Sequence, residues 1–199
     1  MKQKKVEIQS EKMIFNNFFQ IKEAYLRFEL FTGQMSEIIH RLNFVRGNSV
    51  AALVYDTDIQ KFVFTNQFRY PTYEKGPGWI YEIIAGSIDP QEKPDDAIRR
   101  EILEEIGYDV SQSPIKYISN FYVSPGGTSE RIYLYYIEVN QDNKVAVGGG
   151  VETEDIQIVE MSLIDTYNVL EKGLIVDAKT LIALLWLKDQ QKKNEIRSS

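Results

Sequence analysis

The chain has 199 residues, 43% hydrophobic and 26% charged, with 29 Asp and Glu against 23 Lys and Arg for a formal net charge of −6. That length buries one substantial core with room for a small addition, and the acidic balance opposes binding of a long polyanion, so no nucleic-acid partner is expected. With no Cys and a single His, His40, disulfides, thiolate metal sites and a Cys nucleophile are excluded, and a metal must be held by oxygen, which selects hard cations such as Mg²⁺ or Mn²⁺.

From the N-terminus, residues 24–31 alternate Ala, Leu, Phe and Leu with Tyr, Arg, Glu and Phe, the period of a half-buried strand. Thr32-Gly33-Gln34 offers a turn, and residues 35–42 can return as the partner strand. A hairpin of this size buries too little apolar surface alone, so residues 1–44 are expected to pack on the rest of the chain or on a second copy. A homodimer follows as an expectation, with this segment as interface and substrate-recognition element. Strand-like runs at 50–55, 62–68, 79–85, 116–123 and 131–139 are separated by segments rich in Gly, Pro, Asp and Asn. Helical patterns cover Pro94–Ile106, Leu163–Glu171 with Ser162 as N-cap, and 178–190 after Asp177. Gly148-Gly149-Gly150 marks a loop that can turn sharply or approach a ligand closely. The main domain is taken as 45–190 and a polar tail as 191–199. No segment resembles a targeting peptide, and the longest apolar run, 181–187, is far below the roughly 20 residues that span a bilayer, so the protein is expected in the cytoplasm, away from membranes.

The helix over residues 94–106 carries the chemistry. Pro94 suits its first turn and Gly107 the position just past its end. At about 100° per residue, Ile98, Ile102, Leu103 and Ile106 gather on one side and Glu101, Glu104 and Glu105 on the other. Arg100 is expected to face away from the middle of this acid cluster, in an i,i+4 pair with Asp96. A solvated acidic face is the ordinary account of such a helix; the context argues otherwise. Gly86, Glu92, Arg100, Glu101, Ile102, Glu104, Glu105, Gly107 and Tyr108 are spaced G-x5-E-x7-R-E-U-x-E-E-x-G-U, with U bulky and apolar or aromatic. At roughly 0.06 per fixed residue, such a match arises by chance on the order of once in ten million chains of this length.

This pattern is similar to the Nudix box at every specified position. The resemblance implies an α+β fold: an α/β/α sandwich with a mixed sheet, here preceded by the small N-terminal antiparallel β segment. It also implies a strand–loop–helix whose glutamates bind Mg²⁺ or Mn²⁺. On this reading Glu101, Glu105 and the carbonyl of Ala85 are metal ligands, Glu104 lies beside them as a catalytic residue that binds a further metal, and Glu92 and Arg100 orient loop and ligands. Gly86 lies against the substrate.

Three further segments, Gln67-Phe68-Arg69, Glu82 with Ala85-Gly86, and Ser124-Pro125-Gly126-Gly127-Thr128-Ser129-Glu130, resemble the branch of the family that hydrolyses ADP-ribose and nucleotide sugars. Gly148 to Glu152 and Asp177-Ala178-Lys179-Thr180 resemble the bacterial GDP-mannose hydrolases within it. The resemblance assigns Glu130 as general base or water-positioning group and substrate contact, Glu152 as a further metal ligand, and Arg69 and Lys179 as contacts to phosphate or sugar. Three of them have a plain alternative: Glu130 as a surface glutamate, Arg69 in a pair with Glu74, and Lys179 as a solvated lysine. The expected activity is metal-dependent cleavage of a nucleoside diphosphate sugar to a nucleoside monophosphate and a sugar phosphate. Other nucleoside diphosphate derivatives or dinucleotides are the second possibility, and a non-catalytic nucleotide-sugar sensor the third. Sensors of that kind lose acidic residues of the box, and this chain keeps them all.

Overall fold

The computed structural model describes residues 3–151 and 155–198. By internal contacts the chain forms two compact units, residues 1–47 with 122–131, and 48–121 with 132–199. The first contains a three-stranded antiparallel sheet of β1 (Val6–Asn16), β2 (Gln20–Phe28) and β3 (Ile39–Val45), ordered β1-β2-β3. The expected turn is present, with Leu30 N–H donating to the Gln34 carbonyl at 2.7 Å. β2 pairs with β3 from Gln20↔Val45 to Leu26↔Ile39, so the hairpin is displaced toward both ends from the predicted one. β1 has no counterpart in the sequence reading. Its pairing with β2 slips between Ile8 and Ser10 and between Met13 and Phe15, and two such irregularities erase the two-residue period by which a strand is recognised.

The second unit is built on a mixed sheet whose main path runs β10-β5-β4-β9-β8. These strands are β4 (Ser49–Asp56), β5 (Lys61–Phe68), β8 (Ile115–Tyr122), β9 (Arg131–Val139) and β10 (Gln157–Met161). β4 and β9 are parallel, while β5 is antiparallel to both β4 and β10. β10 was not predicted; at five residues it is an edge strand too short to show a period. Along β4, Val50, Ala52 and Val54 face one core and Ala51 and Leu53 the other. Both faces of the sheet are therefore covered. The first core is closed by α2 (Pro94–Ile106) through Ala97, Ile98, Ile102 and Ile106. The second is closed by α4 (Ala178–Ser198) through Ala183, Leu184 and Leu187, with Leu163, Tyr167 and Leu170 of α3 (Leu163–Glu171) packed against it. A four-residue helix, α1 (Tyr70–Tyr73), follows β5. The fold is α+β, a mixed sheet between helices, as the resemblance implied.

The caps act as read from the sequence. Ser162 Oγ accepts from the Asp165 N–H at 3.2 Å, and Asp177 Oδ2 accepts from the Thr180 N–H at 3.0 Å. α4, however, continues to Ser198, so the polar run after Gln190 is helical.

One break in the sheet positions the site. The single strand predicted over 79–85 is two: β6 (Trp79–Glu82) pairs with β5, and β7 (Ile84–Ser87) pairs with β4. The segment crosses from one strand to the other at Ile83, whose side chain is fully buried. Its N–H, outside either ladder, donates to Thr180 Oγ1 at 2.9 Å, which satisfies a buried donor that would otherwise be costly.

Candidate active site

α2 runs over the predicted residues, with Pro94 in the first turn and Gly107 just past its end at φ 73°, where a side chain would be strained. Its apolar face is Ala97, Ile98, Ile102 and Ile106; Leu103, placed there by the sequence reading, is 40% exposed. Glu105 is 3% exposed and accepts a hydrogen bond from the Ala85 N–H at 3.2 Å. Two predicted ligand positions, Ala85 and Glu105, are thus in direct contact.

Gly86 faces Glu101. A Cβ at Gly86 would fall on the Glu101 carboxylate, so the glycine makes the space that this side chain occupies. Gly86 does not have a positive φ, so alanine suits its backbone, and the group that must yield is the end of a flexible side chain. Gly86→Ala is therefore expected to keep the melting temperature within a few degrees while lowering turnover about 10- to 100-fold, as displaced ligand support does at metal sites. A thermal melt beside steady-state kinetics checks this, and an unchanged rate would remove Glu101 from the chemistry.

Arg100 departs from its expected place. It lies amid the carboxylates, not away from them, and pairs with Glu92, Glu101 and Glu104 rather than Asp96. Its Nε and Nη2 donate to the two oxygens of Glu92 at 3.0 and 3.1 Å, and Nη1 donates to Glu101 Oε1 at 2.7 Å and Glu104 Oε2 at 3.0 Å. Nη2 also donates to the Ser87 carbonyl at 3.0 Å. A fork of donors tied bidentately to Glu92 fixes the loop between β7 and α2 to the helix. The Arg100 hydrogen bonds hold the Glu92 carboxyl below the usual carboxylate range, and the same partners raise Arg100 above its ordinary value.

The C-terminal end of α2 is held by the glycine run. Gly149 N–H donates to the Glu105 carbonyl at 2.8 Å and Gly150 N–H to that of Glu104 at 3.2 Å. Gly148, at φ 78°, lies where a Cβ would meet the Glu105 carbonyl oxygen at 2.6 Å. The three glycines turn sharply to cap the helix that carries the acid cluster.

The remaining predicted residues lie outside this strand–loop–helix. Glu152 lies outside the described residues. Glu130, in the first unit, is 5% exposed and pairs with Arg46 Nε at 3.3 Å, so it is not a plain surface group. Arg69 pairs with Glu82 at 2.7 Å and not with Glu74, and Lys179 is buried against Glu82 and Asp177. Sequence reasoning quoted Glu82 only within a family-like segment and gave it no role, and it passed over Arg46. Glu82 left a signal, a lone acid within the apolar run Trp79-Ile80-Tyr81-Glu82-Ile83-Ile84; Arg46 left none. His40 is engaged by Glu23 at 3.0 Å and stacks on Tyr25.

The donor chemistry fits a hard divalent cation. Glu92, Glu101 and Glu104 share one guanidinium, leaving the cluster net negative, and every candidate ligand atom is oxygen. Among the described residues no three His, Cys, Asp or Glu side chains form a ready-made metal cage, and the fourth predicted ligand is Glu152. No helix among the described residues is long and apolar enough to cross a membrane.

A family model described as the NUDIX domain matches residues 45–184. The chain is 35% identical to the ADP-ribose pyrophosphatase of Escherichia coli strain K12 over 194 residues, 96% of this chain and 92% of that protein. It is 33% identical to the GDP-mannose pyrophosphatase of Salmonella typhimurium over 181 residues, 89% of this chain and 92% of the relative. A crystal structure described as an ADP compounds hydrolase matches with a TM-score of 0.73 over 96% of both chains at 18% identity, a likeness of fold. The box residues meet at one strand–loop–helix, and the family match covers most of the unit that contains it: the chain belongs to the Nudix hydrolase family.

Proposed function

We propose that the protein hydrolyses the diphosphate bond of a nucleoside diphosphate sugar of the ADP-ribose or GDP-mannose kind, releasing a nucleoside monophosphate and a sugar phosphate. The observation that carries this reading is the seating of Glu101 against Gly86 and of Glu105 against Ala85. Mg²⁺ or Mn²⁺ would be held by Glu101, Glu105, the Ala85 carbonyl and Glu152. When bound, it supplies charge stabilisation at phosphorus and a more acidic water. Arg100 keeps the Glu101 and Glu104 carboxylates oriented and ties the loop behind them. Arg69 and Lys179 take the anionic groups of the substrate, Gly86 lies against it, and Glu130 accepts the proton of the attacking water. Action in the cytoplasm is part of the same reading.

The test is a product-resolved assay with Mg²⁺ over nucleoside diphosphate sugars, dinucleotides and nucleoside triphosphates. Cleavage of a diphosphate sugar to monophosphate and sugar phosphate supports the reading; turnover of triphosphates alone, or tight binding without turnover, overturns it.

We further propose a homodimer through the N-terminal sheet. β1 is exposed at every one of its 11 residues, Val6, Ile8 and Phe15 among them, and apolar side chains left in water on a sheet are a surface for a partner. Sedimentation at micromolar concentration is expected to give twice the 23.1 kDa chain mass. A folded monomer there overturns the assignment.

A further inference from the structure

Glu82 collects two cations from distant parts of the chain. Arg69, just after β5, donates through Nε to Glu82 Oε2 at 2.7 Å. Lys179, in the first turn of α4, donates to Glu82 Oε1 and pairs with Asp177 Oδ1 at 3.0 Å. The side chains of Glu82 and Lys179 are 5% and 9% exposed, and that of Arg69 is 38%. Burial pushes the Glu82 carboxyl up, but Lys179 and Arg69 outweigh it and hold the group below its ordinary range.

Stability alone is a weak reason for such a group, because a buried ion pair replaced by apolar residues of like volume is often neutral or stabilising. The geometry suits another task. Glu82 ends β6, three residues before Ala85, and the intervening Ile83 is pinned to Thr180, which also hydrogen-bonds Asp177 at 2.6 Å. The same strand crossing thus sets both the Ala85–Glu105 contact and the positions of the two cations. Lys179 has three N–H donors, and its partners among the described residues are Glu82 and Asp177.

We propose that Glu82 is a positioning residue of the substrate site, its two carboxylate oxygens fixing Arg69 and Lys179 as one cationic pair that receives the substrate diphosphate. This rests on the reading of Arg69 and Lys179 as substrate contacts. Glu82 itself touches no substrate and acts through the cations. Replacing it with Gln leaves an acceptor for one cation and turns an amide N–H₂ toward the other, so the pair separates.

The experiment measures kcat and KM for ADP-ribose and GDP-mannose with Mg²⁺, in Glu82→Gln and in the same substitution placed on an Arg69→Leu/Lys179→Met background. Loss of one member of a buried charge pair at a binding site weakens binding on the order of tenfold or more. KM is expected to rise by that factor in Glu82→Gln with kcat within about threefold, and to change less than about twofold on the substituted background. An equal rise on both backgrounds, or none in Glu82→Gln while Arg69→Leu and Lys179→Met each raise KM, overturns the proposal and leaves the substrate-contact reading intact. Unchanged KM in both cation variants overturns the two together. Should Glu82→Gln fail to fold, Glu82→Met/Lys179→Met, which removes the buried carboxylate together with its buried cation, is expected to match the KM of Arg69→Leu/Lys179→Met; a KM equal to that of Lys179→Met alone overturns the proposal.

Discussion

Glu105→Gln is expected to lose turnover on the order of a thousandfold or more while remaining folded, since a metal ligand in phosphoryl chemistry supports several kcal/mol of transition-state stabilisation and each 1.36 kcal/mol is tenfold in rate. The substitution isolates charge from shape. Glu105 is 3% exposed and receives the Ala85 N–H at 3.2 Å, and Gln presents an oxygen of the same reach to that donor. The Ala85 hydrogen bond is kept and the fold is relieved of a buried carboxylate. Kinetics over a Mg²⁺ titration, with a thermal melt, give the result: a collapse in kcat at unchanged melting temperature assigns Glu105 to the metal. Near-normal turnover removes it from the ligand set and leaves the Ala85 contact as a structural one.

What could be read from the sequence was what local periodicity and local caps determine. α2 is bounded by Pro94 and Gly107 and patterned by three isoleucines, so its limits agree to the residue. Interactions made across the chain were harder to read. A helical projection points Arg100 away from the middle of the acid cluster, but Glu104, four positions on, is its neighbour on the helix, its side chain is long enough to reach Glu101 as well, and Glu92 on the preceding loop outcompetes Asp96 for it. The glycine run at 148–150 looked like a flexible or ligand-facing loop because its partners, the carbonyls of Glu104 and Glu105, lie more than forty residues upstream. The split of β6 from β7 follows from β4 and β5 each taking half of one segment, which no two-residue period reveals. Glu82 was visible as a charge in an apolar run, yet naming Arg69 and Lys179 as its partners required the fold.

Glu130→Gln separates chemistry from metal binding. The resemblance makes Glu130 the base or water-positioning group, and the structure shows it enclosed, with 7% of its side chain exposed and Arg46 Nε at 3.3 Å. The loop that leads to it is tied down at its far half. Gly127 and Thr128 N–H both donate to the Ser124 carbonyl at 3.0 Å, Phe44 N–H donates to the Gly127 carbonyl at 2.8 Å, and Glu130 N–H donates to Thr128 Oγ1 at 3.1 Å. A carboxylate so held is preorganised, and Gln fits the same space with the same backbone contacts. If Glu130 takes the proton of the attacking water while Glu101, Glu105 and Glu152 hold the cation, the variant should lose about 10²–10⁴ in single-turnover rate, the range for removal of a general base. Its Mn²⁺ affinity and substrate Kd should stay within about twofold of wild type, because neither depends on a proton acceptor. Single-turnover kinetics at saturating metal, with Mn²⁺ binding followed by paramagnetic resonance, distinguish the roles. A variant weakened in Mn²⁺ binding but normal in rate once saturated would instead place Glu130 among the ligands of the cation.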